Sequence, residues 1–163
     1  MNFRTLYSRF AAAAGCLQSV VLLFIRLAWG FQLLESGWGH LTHVGKTAQF
    51  FASLHIPFPT ANVYISGTTE LVGGALLMLG LFARGISIPL IFNFCVAYAT
   101  DASSSIKELL QLSPDDFINY TAFPFLVTSL LILAFGPGKI SIDFLVEKFA
   151  GKKSGASATR SEA

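Results

Sequence analysis

Residues 15–34 of the chain are GCLQSVVLLFIRLAWGFQLL, an apolar run that contains a single charge, Arg26. A bilayer core of about 30 Å is crossed by an α-helix of roughly 20 mostly apolar residues. This stretch has that length and that composition. The sequence therefore predicts a membrane-spanning helix from Gly15 to Leu34.

Three further stretches have the same character. They are residues 62–82, which contain Glu70, residues 86–100, with Pro89 in the first turn, and residues 117–135, with Pro124 inside. Hydrophobic residues make up 53 % of the chain and charged residues only 12 %, whereas soluble domains have about 25 % charged residues. A soluble domain needs more polar surface than this to cover its core. We therefore predict an all-α transmembrane four-helix bundle.

The connections between the predicted spans differ in length. Ala83-Arg84-Gly85 predicts a tight turn between the second and third spans, whereas residues 35–61 form a long connection in which residues 47–54 could lie as a short interfacial helix. The predicted division of the chain has three parts. These are a cytoplasmic N-terminal segment (1–14), a four-span domain (15–150) and a disordered cytoplasmic tail (151–163), whose Ser, Ala, Gly and Lys content is typical of disorder.

The distribution of Lys and Arg predicts the orientation in the membrane, because cytoplasmic loops carry an excess of these residues. Placing both termini in the cytoplasm leaves only Lys46 and Lys107 outside. The basic residues on the inner side are then Arg4, Arg9, Arg84, Lys139, Lys148, Lys152, Lys153 and Arg160. The net charge of +2 is too small to indicate a nucleic-acid partner. The lipid bilayer is the expected surrounding of the chain.

Arg26 and Glu70 are the charges that lie deep within predicted spans. An isolated charge at such a position costs several kcal/mol. Counted from the predicted outer ends of their helices, Arg26 lies about 13 Å deep and Glu70 about 12 Å deep. Equal depths predict that the two side chains pair, and Asn93 in the third span could complete the cluster. Such a pair either lines a polar pocket for a substrate or protons, or merely locks two helices together.

Small residues follow these charges at helical spacing. Gly67, Glu70 and Gly74 share one face of the second span, and Arg26 and Gly30 share one face of the first. Small residues let helix backbones approach closely in membranes. The glycines therefore predict close packing of helices more than they predict a binding site.

Three histidines lie in the long connection, namely His40, His43 and His55. A spacing of three places His40 and His43 on one helical face, and imidazoles bind zinc, copper or iron. Glu35 is the only further candidate ligand close by in the sequence. The sequence therefore favours polar surface over a metal site, and we predict no metal.

Two segments resemble the DoxX family of membrane proteins. They are GTTELVGGALLMLGLFAR at residues 67–84 and GPGKISID at residues 136–143. Arg26, followed by Gly37 and a polar residue at position 40, also resembles the family pattern. The resemblance covers about residues 20–145, and His40 stands where family members more commonly have Lys.

The resemblance implies a four-helix protein of the bacterial inner membrane that is linked to redox chemistry and to thiol and oxidative stress. The leading hypothesis is a membrane redox component whose candidate pocket, formed by Arg26, Glu70, Asn93 and His40, binds quinone or a small sulfur compound. The sequence has no intrinsic redox centre, so electrons would come from a soluble redox protein or a second substrate. The alternative is a non-enzymatic scaffold that recruits soluble redox enzymes. Whether the chain is an enzyme, and whether it forms a homo-oligomer, stay open.

Overall fold

The computed structural model describes residues 3–101 and 118–149, and every regular element in these ranges is a helix. The helices are α1 (Phe3–Thr42), α2 (Val44–Ser53), α3 (Pro59–Leu79), α4 (Ala83–Asp101), α5 (Phe123–Phe135) and α6 (142–149). Helix α1 packs along α3, α3 on α4, α4 on α5 and α5 on α1, so that these four close a bundle. Helix α2 packs against α3 at one end. The predicted all-α bundle is confirmed.

The surface of the bundle is apolar, and several of its buried residues are polar. Phe24 and Phe92 are each 71 % exposed, whereas Arg26 is 1 % exposed and Glu70 is 5 % exposed. Water would penalise such a surface, whereas hydrocarbon accommodates it. Tyr7–Thr42 and Ala83–Thr100 are long and apolar enough to cross a membrane, and α5 is apolar but shorter. These features fit a protein embedded in a bilayer.

The helix boundaries correct three details of the sequence prediction. Helix α1 has 40 residues, about 60 Å at 1.5 Å per residue, so it continues well past the predicted end of the first span at Leu34. It also runs without interruption through the predicted division between residues 14 and 15. The predicted turn at residues 83–85 is instead the first turn of α4. The tail from residue 151 lies outside the described residues.

The two prolines exchange the roles that the sequence suggested. Pro89 was expected in the first turn of its span, but it lies inside α4, where neighbouring helices must satisfy the freed carbonyl group. Pro124 was expected inside a span that began at residue 117. It lies instead in the first turn of α5. N–H groups in the first turn of a helix make no intrahelical hydrogen bond, so the N–H that proline lacks costs nothing there.

The turn between α3 and α4 is held by the segment that follows α5. Gly80 ends α3 in the left-handed conformation with a φ of 63°, and a Cβ there would lie 2.6 Å from the Cβ of Ser141. The Asp143 carboxylate accepts the N–H of Phe82 at 2.7 Å and the N–H of Ala83 at 2.9 Å. The Asp143 N–H donates to the carbonyl oxygen of Gly80 at 2.9 Å. Asp143 therefore caps α4 from a distant part of the chain.

Replacing Asp143 with Ala should lower the thermal stability, because the first N–H groups of α4 lose their acceptor. Loss of a helix N-cap costs about 0.5–2 kcal/mol. The measurement is the melting temperature of the purified protein in detergent. The matched control is Glu147→Ala, which removes an exposed carboxylate from the same helix, α6. Equal melting temperatures for the two variants would show that the cap contributes nothing.

Candidate functional site

Arg26 lies on the buried face of α1, near the turn between α3 and α4. Its Nε donates to the carbonyl oxygen of Leu77 at 2.8 Å, and its Nη2 donates to that of Met78 at 3.1 Å. Its Nη1 donates to the carbonyl oxygens of Ile140, at 3.1 Å, and Pro137. The last carbonyl groups of a helix lack the usual intrahelical donor. Of these two in α3, only that of Leu77 also accepts a backbone N–H within the described part of the chain, from Gly80 at 3.1 Å. Arg26 supplies donors to them and ties the loop after α5 to the same point.

The predicted pairing of Arg26 with Glu70 is therefore wrong. The estimate of equal depth assumed that α1 ends at Leu34, whereas α1 continues to Thr42. Arg26 lies about 24 Å before that end. The α1 residue that contacts Glu70 is Ser36, which lies about 15 Å further along the helix than Arg26. The two charges belong to different parts of the bundle.

Glu70 is the centre of a polar cluster formed by three helices. Its Oε2 accepts the hydroxyl of Ser36 in α1 at 2.7 Å. Its Oε1 accepts the hydroxyl of Ser66 in α3 at 3.1 Å and the Nδ2 of Asn93 in α4 at 3.0 Å. Three donors on one carboxylate stabilise a charge that would otherwise be costly to bury.

His40 lies beside the same carboxylate. Its Nδ1 is 3.4 Å from Oε2 of Glu70, and in the described part of the chain this buried nitrogen has no hydrogen-bond partner. The His40 side chain is 27 % exposed. The Nδ1 of His40 is therefore a buried polar atom beside Glu70 that is not used in a hydrogen bond within the described part of the chain.

The structure thus brings together three of the four predicted site residues, namely Glu70, Asn93 and His40, and separates Arg26 from them. Ser36 and Ser66 were missed by the sequence analysis. Each lies one helical turn before a predicted site residue, Ser36 before His40 and Ser66 before Glu70, so each shares a helical face with it. This spacing of four residues is the feature of the sequence from which the two serines could have been predicted.

The polar cluster forms one wall of a cavity of about 440 Å³, here called the Glu70 cavity. Most of its lining is apolar. Rings of Phe51, Phe94 and Phe125 line it, and the rings of Phe94 and Phe125 stack with centroids 5.4 Å apart. Ile65 and Phe92 also line the cavity, although they are 63 % and 71 % exposed on the outer surface of the bundle. The cavity therefore extends from the bundle surface to the carboxylate.

The site does not have the composition of a metal centre. Within residues 3–101 and 118–149, no three His, Cys, Asp or Glu side chains are grouped so that they could hold a metal ion. His43, which the sequence places on one face with His40, contacts the hydroxyl of Thr42 at 3.0 Å and the carbonyl oxygen of Gly39 at 3.3 Å. The polar groups of the cavity suit an organic ligand.

Comparison with known proteins confirms the resemblance seen in the sequence. Residues 21–101 match the DoxX family. The chain is also 27 % identical over 134 residues to the inner membrane protein YphA of Escherichia coli strain K12, a match that covers 79 % of this chain and 92 % of the relative. No solved structure matches the chain. The family match includes Ser36, His40, Glu70 and Asn93, and it therefore covers the polar cluster.

Proposed function

Since this chain is a DoxX-type integral membrane protein, we propose that it serves as the membrane component of a redox system and binds a quinone in the Glu70 cavity. The observation that carries the proposal is the position of Glu70. Its carboxylate lies at the buried end of a mostly apolar, aromatic-lined cavity that reaches the exposed surface of the bundle. A ligand that dissolves in the bilayer could enter such a cavity without crossing water.

The proposed topology has α1, α3, α4 and α5 crossing the inner membrane, with both termini in the cytoplasm. The positions of basic residues support it. Arg84 and Lys139 line the same cavity beside the α3–α4 turn, whereas Lys46 lies on α2 near the other end of α3. Cytoplasmic loops carry the excess of Lys and Arg. The α3–α4 turn is then the cytoplasmic end of the bundle.

The chemistry of the lining favours a quinone over an anionic sulfur compound. Among the described residues that line the Glu70 cavity there is no Lys or Arg to bind an anion, because Arg26 lies elsewhere. A quinone is neutral and planar, so it can stack on the aromatic rings while its carbonyl oxygens accept hydrogen bonds from His40 and Asn93.

Glu70 is then the group that exchanges protons with the bound quinone. Reduction of a quinone to a quinol takes up two electrons and two protons, and the protons end on the two quinone oxygens. The side chains that line the cavity are not electron carriers. The electrons therefore come from a reduced soluble redox protein that docks at the membrane, which is the partner expected from the sequence.

Replacing Glu70 with Gln is expected to weaken quinone binding about ten-fold, because an amide cannot accept the Ser66, Asn93 and Ser36 donors together. Ten-fold corresponds to about 1.4 kcal/mol, the order of one hydrogen bond. The probe is menadione, titrated against protein in nanodiscs in a Trp38→Phe background. The remaining tryptophan, Trp29, packs 5.6 Å from Phe125 in the cavity wall and reports binding by fluorescence quenching.

The matched control is Glu35→Gln, which makes the same substitution at an exposed position of α1. We expect the control to bind menadione as the unaltered protein does. Absence of saturable quenching in the unaltered protein, or equal affinity in the Glu70 and Glu35 variants, would contradict the proposal and favour the scaffold alternative.

A further inference from the structure

A second cavity, of about 600 Å³, lies at the opposite end of the bundle from α2. It is formed by the first half of α1, the α3–α4 turn, the loop after α5 and helix α6. Gln18 and Ser19 line it from α1, and Lys139 lines it from the loop. We call it the Lys139 cavity. It shares no lining residue with the Glu70 cavity.

Two cations in the Lys139 cavity lack an acidic partner within the described part of the chain. The guanidinium of Arg84 makes one long contact, from Nη2 to the carbonyl oxygen of Ala134 at 3.5 Å. Lys139 donates its backbone N–H to the hydroxyl oxygen of Ser19 at 3.4 Å. Its ammonium group makes no ion pair within the described part of the chain. In the described ranges, the only contact within 4.0 Å between a basic and an acidic side chain is that of His40 with Glu70, in the other cavity.

Two acids face the same space, and they do not cancel both cations. Asp143 uses both carboxylate oxygens to cap α4, and its negative charge is balanced by the nearby guanidinium of Arg26. Glu147 on α6 is exposed and is the remaining opposing charge. With Arg26 balancing Asp143, Arg84 and Lys139 against Glu147 leave an excess of one positive charge beside the cavity.

The rim of the cavity is apolar as well as basic. The exposed fractions are 68 % for Phe82, 60 % for Phe135 and 38 % for Phe144, and all three side chains line the cavity. In a membrane protein, apolar side chains beside unpaired cations lie where acyl chains meet headgroups. Basic pockets on the cytoplasmic side of membrane proteins suit anionic lipid headgroups.

From this arrangement we propose that the Lys139 cavity binds the phosphate of an anionic phospholipid between Arg84 and Lys139, with the acyl chains lying against the rim phenylalanines. The phosphate accepts hydrogen bonds from the guanidinium and the ammonium group, and the Gln18 amide lies close enough to the same space to donate another. The site is independent of the quinone site.

The test is native mass spectrometry of the detergent-purified protein, titrated with phosphatidylglycerol, phosphatidylethanolamine or phosphatidylcholine. We expect phosphatidylglycerol to bind most tightly. Each of the substitutions Arg84→Gln and Lys139→Gln should weaken its binding about five-fold, as expected for one basic residue near a lipid phosphate. The control is Lys46→Gln, which removes an exposed cation from α2 and should leave binding unchanged.

Glu147→Gln gives a second test, in which the affinity is expected to rise. Removing the opposing charge should tighten phosphatidylglycerol binding, a result that partial unfolding of the variant would not produce. A preference for phosphatidylethanolamine that is lost in Glu147→Gln would overturn the proposal, because Glu147 would then bind a headgroup ammonium. Equal binding of all three lipids would also overturn it. So would displacement of phosphatidylglycerol by inorganic phosphate at low millimolar concentration, since the site would then take a soluble phosphate.

Discussion

Replacing Arg26 with Leu is expected to abolish accumulation of the folded protein. The substitution removes the donor to four backbone carbonyl groups. The carbonyl of Leu77 keeps the N–H of Gly80, whereas those of Met78, Pro137 and Ile140 lose the donor that the described part of the chain gives them. A buried acceptor that loses its partner costs about 1–3 kcal/mol. Three of them, about 3–9 kcal/mol together, approach the whole stability of a typical protein, about 5–15 kcal/mol. The measurement is the yield of protein extracted from membranes in mild detergent, together with its unfolding by added SDS.

The matched control for this prediction is Arg84→Leu. Arg84 is also an arginine near the α3–α4 turn, but it is exposed and makes only one long contact to a carbonyl oxygen in the described part of the chain. We expect Arg84→Leu to fold with near-normal yield, and Arg26→Lys to fall between the two, because an ammonium group cannot reach four carbonyls spread around a planar guanidinium. Normal unfolding of Arg26→Leu would show that the four contacts do not hold the bundle together.

Replacing Gly37 with Ala is expected to destabilise the contact between α1 and α3 by about 2–3 kcal/mol. A Cβ at position 37 would lie 2.5 Å from the backbone nitrogen of Leu71 and 2.6 Å from the carbonyl oxygen of Gly67. Backbone atoms in the middle of a helix cannot yield as a flexible side chain can, so the two helices must move apart. The measurement is the free energy of unfolding in SDS-containing mixed micelles.

Gly39 offers a control on the same helix, two residues further along. A Cβ at Gly39 meets no atom within 4 Å. Ala has a higher helix propensity than Gly by about 1 kcal/mol, so Gly39→Ala should be neutral or slightly stabilising. Equal losses in both variants would contradict the packing argument, because they would reflect a general intolerance of α1 to Ala.

Apolar run length and charge composition predicted the helices well, because both reflect the solvent around them. The extent of α1 could not be predicted in the same way. Glu35 and the histidines that follow it were interpreted as the end of the span, whereas the helical hydrogen bonds continue to Thr42. Hydropathy reports where a helix leaves the apolar layer, and it carries no information about where the helix ends. The depth assigned to Arg26 was wrong for this reason.

The composition of the site was predicted in part. A buried carboxylate requires donors, so Glu70 indicated polar partners, and Asn93 was found because an amide within a span requires a partner. The partners of Arg26 could not be found, because they are backbone carbonyl groups, which every residue possesses. Only the arrangement of α3 and the loop after α5 shows which of these carbonyls are free to accept.

The position of Arg26 also affects how the protein is made. Arg26 lies in α1, whereas two of its acceptors, Pro137 and Ile140, follow 111 and 114 residues later in the chain. Until the loop after α5 is synthesised, the guanidinium has only the carbonyl groups of Leu77 and Met78, at the end of α3, as acceptors. Its Nη1 donors must stay hydrated or near lipid headgroups during that time. The set of four contacts is complete only when the loop after α5 contributes the carbonyl groups of Pro137 and Ile140. Synthesis of this loop is therefore coupled to the final packing of α1, and a chain truncated before it would carry a buried guanidinium that lacks two of its four acceptors.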